Sequence, residues 1–516
     1  MYFILPVLGS SLAYAIFVLY RRLYLSPVAH FPGPKLAAAT YWYEFYYDII
    51  LGGKYIWKVQ EMHREYGPVI RINPGGLHVA DPAFWDVMYT HSTERNRRDK
   101  WEWETWGIGI PTSMLGTAPH ALHRVRRSAV NPFFSKQNVR RLEPGIEERV
   151  GALVGRLRKR KERGEVVRMD HAYSAFTNDV VVQYCFDRSD HHIEAPGFDP
   201  SFHETSFGAA KAISLLKHLP WLLTIMRALP ESIAMKMGDE VSANIKLTKE
   251  RMGQIEDLRK TGFEKEEQEH KTIFHTLLRS DLPAEEKETR RLAEEAVLLV
   301  GAGTHTTSWV LTVITFYLLS NPALLRKLRD ELRTLLPEVD SFAPLVELEK
   351  LPFLTAVLKE GLRLGHGAAA RSSRIAPDAS LKCGDWTVPP RTPVAMTIPL
   401  THLDESIFPD ALTFEPHRWL GGNTAHLDKY LVAFSKGSRA CVGMNLAWAE
   451  LYLCIARVFR QFGSREVRES GDVGCMELYK TDASDVEVAS DAFFPMVREG
   501  SKGVRVRISS PKVVDL

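Results

Sequence analysis

From Met1 to Tyr20 (MYFILPVLGSSLAYAIFVLY) an apolar run proceeds without Asp, Glu, Lys or Arg, and Arg21 and Arg22 follow at once. A helix of about 20 residues rises about 30 Å, one bilayer core, so the pattern predicts a single transmembrane anchor over residues 1–20. Ala13-Tyr14-Ala15 looks like a small-residue cleavage site, but no basic region precedes the run and the run continues past it. An uncleaved anchor is therefore expected rather than a signal peptide. The arginines keep the following body in the cytosol. Pro27 and Phe31-Pro32-Gly33-Pro34 cannot continue a helix, which predicts a stiff, bent, basic and proline-rich hinge over residues 21–36 and a body over 37–516.

Within the body, residues 61–80 (EMHREYGPVIRINPGGLHVA) predict a helix end, a Gly67-Pro68 turn and two short strands joined at Asn73-Pro74-Gly75-Gly76. Helical periodicity then dominates, over 137–163, 284–321, 323–336, 353–364 and 444–462, with short strands near 370–400 and at the carboxyl end. The expected class is mainly α with a minor β-sheet. Ala296 through Leu325 is again free of Asp, Glu, Lys and Arg. Gly301-Ala302-Gly303-Thr304-His305-Thr306-Thr307-Ser308 puts a polar, glycine-containing patch at its centre, which lipid would penalise and a buried site could use. A long core helix with a functional break is expected there, with Glu285, Glu286, Lys287, Arg290 and Arg291 on its upstream turns.

Sixty-six Lys plus Arg against 63 Asp plus Glu give a net charge of +3, which leaves no electrostatic footprint for nucleic acid. The basic run Arg156–Arg163 precedes Gly164 and is read as a solvated helix end rather than a localisation signal. Cys185, Cys383, Cys441, Cys454 and Cys475 form no C-x-x-C pair, so neither a disulfide framework nor a structural zinc site is indicated.

The candidate chemistry lies at Phe434-Ser435-Lys436-Gly437-Ser438-Arg439-Ala440-Cys441-Val442-Gly443, ahead of a helix with apolar residues at 447, 448, 451, 454, 455 and 458. Cys441 falls at a helix amino terminus, where exposed N–H groups favour a thiolate. The pattern F-x-x-G-x-R-x-C-x-G resembles the haem-thiolate signature of the cytochrome P450 superfamily. The family's other motifs occur in its order. Glu360-Gly361-Leu362-Arg363 matches E-x-x-R, and Phe414-Glu415-Pro416-His417-Arg418-Trp419 resembles the P-E-R-F segment. The resemblance implies a buried network of Glu360, Arg363 and Arg418. His120–Arg127 resembles the W-x-x-x-R helix, with His123 in the tryptophan place and Arg127 in the arginine place. Together with Arg374 and Arg439 they match the partners of the haem propionates, while Phe434 and Gly443 frame the cysteine. His366-Gly367 stands where many members carry two prolines.

Ala302-Gly303-Thr304-His305-Thr306 resembles the oxygen-binding A-G-x-[DE]-T segment, with Thr306 as its hydroxyl and Gly303 leaving room for oxygen and water. His305 replaces the usual acid. Two roles stand open for it: a hydrogen bond to a neighbouring helix, or proton carriage toward Thr306, which near-neutral titration permits. The resemblance implies the P450 haem-domain fold, haem b (iron protoporphyrin IX) with Cys441 as axial metal ligand, and catalytic roles for Cys441, Thr306, His305 and Gly303. It further implies O2, an NADPH-cytochrome P450 reductase, with cytochrome b5 as a second electron donor, and residence in the endoplasmic reticulum membrane with the catalytic domain cytosolic. Aromatic and apolar residues (Trp101, Trp103, Trp106, Ile108, Ile110, Met114, Phe493, Phe494, Met496) point to a lipophilic, largely uncharged substrate. Likeness to fungal secondary-metabolism enzymes of the trichodiene oxygenase kind suggests a terpenoid first and a polyketide-derived scaffold second. A haem-thiolate isomerase or dehydratase, and a membrane haem sensor without turnover, are the rival functions.

Overall fold

The computed structural model describes residues 4–91, 93, 96–261, 272–422, 424–469 and 471–510. Residues 1–3 of the expected anchor and 511–516 of the expected body lie outside them. Helix accounts for 58% and strand for 8%, so the architecture is mainly α with minor sheet, as the periodicity predicts.

Helix Ile4–Tyr20 turns apolar side chains such as Val7, Leu8, Leu12 and Phe17 outward rather than into a core. The helix continues as a π-helical turn through Leu25, inside the segment expected as hinge, and the proline segment after it is docked on the body. Val28 and Phe31 are buried against the sheet, and Arg71 N donates to Pro32 O at 2.7 Å. Burial of the phenylalanine and capture of the proline carbonyl tie the hinge to the body.

Helix Tyr55–Tyr66 ends at Gly67, and Val69–Arg71 pairs antiparallel with Leu77–Val79 around a turn in which Asn73 Oδ1 accepts from the N–H groups of Gly75 and Gly76. These strands form one edge of a five-stranded sheet that continues through Pro393–Ala395, Arg374–Ile375 and Asp99–Lys100. Its last register sets Lys100 opposite Arg374. A four-stranded sheet, Val166–Arg168, Arg505–Ser509, Gly474–Leu478 and Phe462–Gly463, covers the other end of the helical body.

The core is built on helix Thr289–Ser320, which packs along Met169–Phe186, Pro352–Gly365 and Met444–Gln461. Long and apolar enough to span a bilayer, it is nonetheless mostly buried in protein and serves as the core helix the polar patch predicts. Two expectations about it are corrected. Residues 284–287 form a separate 3-10 turn ended by extended Glu288 (ψ 142°), so Glu285, Glu286 and Lys287 are off the helix. The helix also runs unbroken through Gly301–Ser308. The hydroxyls of Thr304 and Thr306 donate to Val300 O (2.7 Å) and Ala302 O (2.9 Å), so the polar patch is satisfied on the helix's own carbonyls without opening it. Close helix packing has a glycine cause: a Cβ on Gly361 would lie 2.2 Å from Ile314 Cγ1.

Candidate active site

Helix Thr289–Ser320, the 434–443 loop, helix His120–Val130 and the segment before Arg374 enclose a cavity of about 480 Å³. Cys441, Thr306, His305, Gly303, His123, Arg127, Arg374, Arg439, Phe434 and Gly443 all line it. Glu360, Arg363 and Arg418 lie outside the lining, in the packing behind it.

The 434–443 loop is fixed by contacts of its own. Gly437 has φ +70°, and a Cβ there would meet Thr90 O at 2.2 Å, so glycine lets this turn press against the neighbouring chain. Cys441 N donates to Phe434 O at 2.8 Å, closing the loop, and Gly443 caps helix Met444–Gln461. Cys441 carries open surface although protein surrounds it on all sides, because that surface faces the cavity and not solvent. Burial pushes its thiol up, against the opposing pull of the Gly443 N–H and the Arg127 guanidinium. Burial thus works against the thiolate preference expected of a helix amino terminus, and Cys441 lies three positions before the first helical residue, Met444. Haem iron held at this sulfur would favour its thiolate form, with release of the thiol proton.

On one side of the cavity four cations and a histidine converge. Arg439 donates to Thr117 O (2.8 Å) and Ala118 O (2.7 Å), Arg127 to Ala440 O (2.7 Å), Arg374 to Ser372 Oγ (2.9 Å) and Lys100 to Leu115 O (2.7 Å). Burial, then the neighbouring Arg374, pulls Arg439 down to about 9. Burial, then Arg439, Lys100, Arg127 and Arg374, pulls His123 down to about 2. Among the described residues, the buried Arg439 Nε has no hydrogen-bond partner. Depressed buried cations around an orphaned donor fit a dianionic cofactor edge, which would relieve their repulsion.

The oxygen-side residues are placed differently from expectation in one respect. A Cβ on Gly303 would stand 3.0 Å from Val181 Cγ2, so the room this glycine leaves is taken by helix packing. Open space lies instead at Gly301, where a Cβ would meet no other element within 4 Å among the described residues, and at cavity-facing Ala302, one turn before Thr306. His305 is buried, its ring stacked on Phe202 at 5.7 Å, with His203 and Phe494 each at 5.6 Å. Burial first, then His203, pulls it down to about 3, so the near-neutral titration that proton carriage would need is not what this environment gives.

Behind the cavity, Arg363 Nε and Nη2 donate to the two oxygens of Glu360 at 2.9 and 2.7 Å, and Arg418 Nε reaches Glu360 at 3.2 Å. Trp419 Nε1 (2.8 Å) and Glu415 N (2.9 Å) complete the acceptor's partners.

The sequence matches the cytochrome P450 family profile over residues 39–476. The chain belongs to the cytochrome P450 family. It is 44% identical over 513 residues to the cytochrome P450 monooxygenase tpcC of Cochliobolus heterostrophus, covering 98% of this chain and 97% of that one. It is similar as well to the tryptophan 6-hydroxylase fscE of Fusarium equiseti (41% identical; 95% and 93% covered) and to the stellatic acid synthase of Emericella variicolor (36%; 98% and 95%). The protein is therefore a P450 monooxygenase with haem held through a cysteine thiolate, Cys441.

Two cavity residues of this P450 escape motif reading. Lys100 joins the cation cluster only because its strand pairs with Arg374, a contact across 274 residues that no local pattern signals. Glu450 is buried and lines the cavity, its carboxyl pushed well above the usual range by burial against a hydrogen bond from Thr307. Its signal was available: it is an acid on the apolar face defined by 447, 451 and 454.

Proposed function

We propose that this P450 is a membrane-anchored monooxygenase that oxidises a lipophilic secondary-metabolite intermediate, a terpenoid first and a polyketide-derived scaffold second. Its electrons would come from an NADPH-cytochrome P450 reductase in the endoplasmic reticulum membrane, with the catalytic domain cytosolic. The observation that carries the reading is that Cys441 and Thr306 open onto one cavity that, away from the cation cluster, is walled mainly by apolar residues, among them Ile108, Ile110, Met114, Val297, Phe493 and Phe494. The relatives' names include an amino-acid hydroxylase and an acid synthase; the apolar walls support a lipophilic substrate, and the likeness to enzymes of the trichodiene oxygenase kind favours a terpenoid first.

Haem, when bound, supplies activation of O2 and insertion of one oxygen atom into a C–H bond. The chain's own residues do the rest. The 434–443 loop presents the Cys441 sulfur, and Lys100, His123, Arg127, Arg374 and Arg439 would hold the propionate edge. Thr306 holds a hydroxyl proton at the cavity wall, resting on Ala302 O, from which it can be turned toward the cavity. Apolar walls orient the substrate and exclude water. An isomerase or dehydratase would not need that hydroxyl, which favours the monooxygenase over its rivals.

Support for the anchor comes from helix Ile4–Tyr20, whose 17 residues cover about 26 Å with apolar side chains outward. Exposed Trp221 and Ile225 on helix Pro220–Ala228 give a second apolar contact.

Incubation with NADPH, reductase, O2 and candidate terpenoids tests the reading: NADPH is consumed in step with product. Product formed without reductase would favour the isomerase, and no turnover the sensor. Cys441→Ala is expected to lose the thiolate-type absorbance of the reduced carbon monoxide complex.

A further inference from the structure

The apolar cavity is not apolar to its end. A side alcove of about 70 Å³ shares Ala370, Arg371 and Phe493 with it and adds Glu104, Lys217 and Asp491. Arg371 is held there from three sides. Its Nη2 donates to Asp48 Oδ2 at 2.5 Å and Glu44 Oε1 at 3.1 Å, and its guanidinium lies 4.8 Å from the Tyr55 ring centroid. Lys217 Nζ donates to the same two carboxylates, at 2.7 Å to Glu44 and 3.1 Å to Asp48. Two buried cations are thus balanced by two buried carboxylates, and this group carries no net charge.

One donor is left over. Among the described residues Arg371 Nη1 has no hydrogen-bond partner although the side chain is only 7% exposed; its ion-pair contact with Asp491 Oδ2, at 3.7 Å, is too long for a hydrogen bond. A buried guanidinium N–H without an acceptor is costly, and the alcove it borders adjoins the substrate cavity, with Ala370, Arg371, Ser372 and Phe493 lining both. Lys100, a third cation at the alcove, has its Nζ directed at Leu115 O.

We propose that Arg371 Nη1 receives a neutral oxygen acceptor of the substrate, a carbonyl or hydroxyl oxygen, and so sets which end of the molecule lies away from the reacting carbon. This rests on the monooxygenase reading of the cavity and narrows its substrate class: a lipophilic molecule that already carries an oxygen function. The step that supplies such a substrate is an earlier oxygenation, or a cyclisation that leaves a hydroxyl or carbonyl. A carboxylate suits the alcove less well, because the Arg371 charge is already answered and Glu104 and Asp491 face the same space. Burial raises the pKa of both acids, Asp491 to about 6, a sign that this space disfavours further negative charge. An ammonium group would meet Arg371 and Lys217.

Titrating the haem absorbance of the full chain with decalin, 2-decalone and decalin-2-carboxylate tests this on one carbon skeleton. Without a waiting donor the ketone would bind more weakly than the hydrocarbon, since its carbonyl would be desolvated for nothing. With it, the ketone is expected to bind about tenfold tighter than decalin, the worth of one hydrogen bond, and tighter than the carboxylate. Arg371→Lys keeps a cation for Glu44 and Asp48 but loses Nη1, and should bring the ketone's tenfold advantage over the hydrocarbon down to about one or below. Asp491→Asn should improve carboxylate binding severalfold, and together with the wild-type ratios decides the matter even where Arg371→Lys fails to fold. Equal binding of ketone and decalin, a ratio unchanged in folded Arg371→Lys, or tightest binding of the carboxylate would each overturn the proposal. A missing thiolate-type carbon monoxide spectrum in the wild type would sink the monooxygenase reading instead, so the two failures are told apart.

Discussion

Glu360→Gln tests how the helical core behind the haem site is held. The two carboxylate oxygens accept from five donors: Arg363 Nε and Nη2, Arg418 Nε, Trp419 Nε1 and Glu415 N. Glutamine keeps the volume but turns one oxygen into a donor. In its better orientation the amide replaces Oε2 and faces two donors, Arg363 Nε and Trp419 Nε1, while two arginines lose their buried counter-charge. Breaking a buried ion pair costs about 3–5 kcal/mol, and each orphaned donor about 1–3 kcal/mol more, so about 5 kcal/mol is a conservative total. With an unfolding entropy of about 2.1 cal/mol/K per residue, this lowers the melting temperature by about 5 °C in a chain of this length. Arg418→Met removes only the 3.2 Å contact to Glu360 and two carbonyl contacts at the rim, and should cost about 1–2 kcal/mol. Thermal melting followed by circular dichroism, with haem content measured on the same samples, gives the order. A Glu360→Gln protein that melts within 1 °C of wild type, or one more stable than Arg418→Met, would refute the network's role.

Thr306→Ala should retain the haem spectrum while NADPH consumption is diverted to peroxide; tight coupling in the variant would remove Thr306 from proton delivery. His305, His203 and His366 are held at about 3, far below the ordinary value of about 6.5, so they stay neutral when folded but protonate when unfolded. Their stabilising contribution is complete above about pH 6.5 and is lost as pH falls toward 3, by up to about 1.4 kcal/mol per pH unit for each. Urea unfolding from pH 7.5 to 5 should show this loss. His305→Phe, which keeps the stack on Phe202, should flatten the slope and leave the pH profile of coupled turnover between pH 6 and 8 unmoved; a shifted profile would restore the relay. Deleting residues 1–22 should free most of the protein from membranes with haem still bound, as read by sedimentation with vesicles, and loss of haem would show that the segment is part of the fold.

Local pattern alone carried much of this protein. The apolar run ahead of Arg21, the E-x-x-R pair one helical turn apart and the spacing from Phe434 to Gly443 are short-range facts, and their consequences follow from helix geometry and from the special demands of a glycine turn and a sulfur ligand. The sequence therefore determined the mainly helical class, the thiolate loop and the arginine partners of Glu360, while Trp419 Nε1 and Glu415 N joined that carboxylate only in the fold. What it left open depends on which surfaces meet. Gly303 reads as room for a small molecule until Val181 fills that room, and the long helix reads as broken until its threonines bond their own preceding carbonyls. His305 reads as a near-neutral base until burial among Phe202, His203 and Phe494 pulls its pKa down. Lys100 meets Arg374, and Arg371 meets Glu44, Asp48 and Asp491, across hundreds of residues. Desolvation and charge pairing are properties of those meetings, so the titration of the buried groups and the polar end of the cavity were decided only by the tertiary structure.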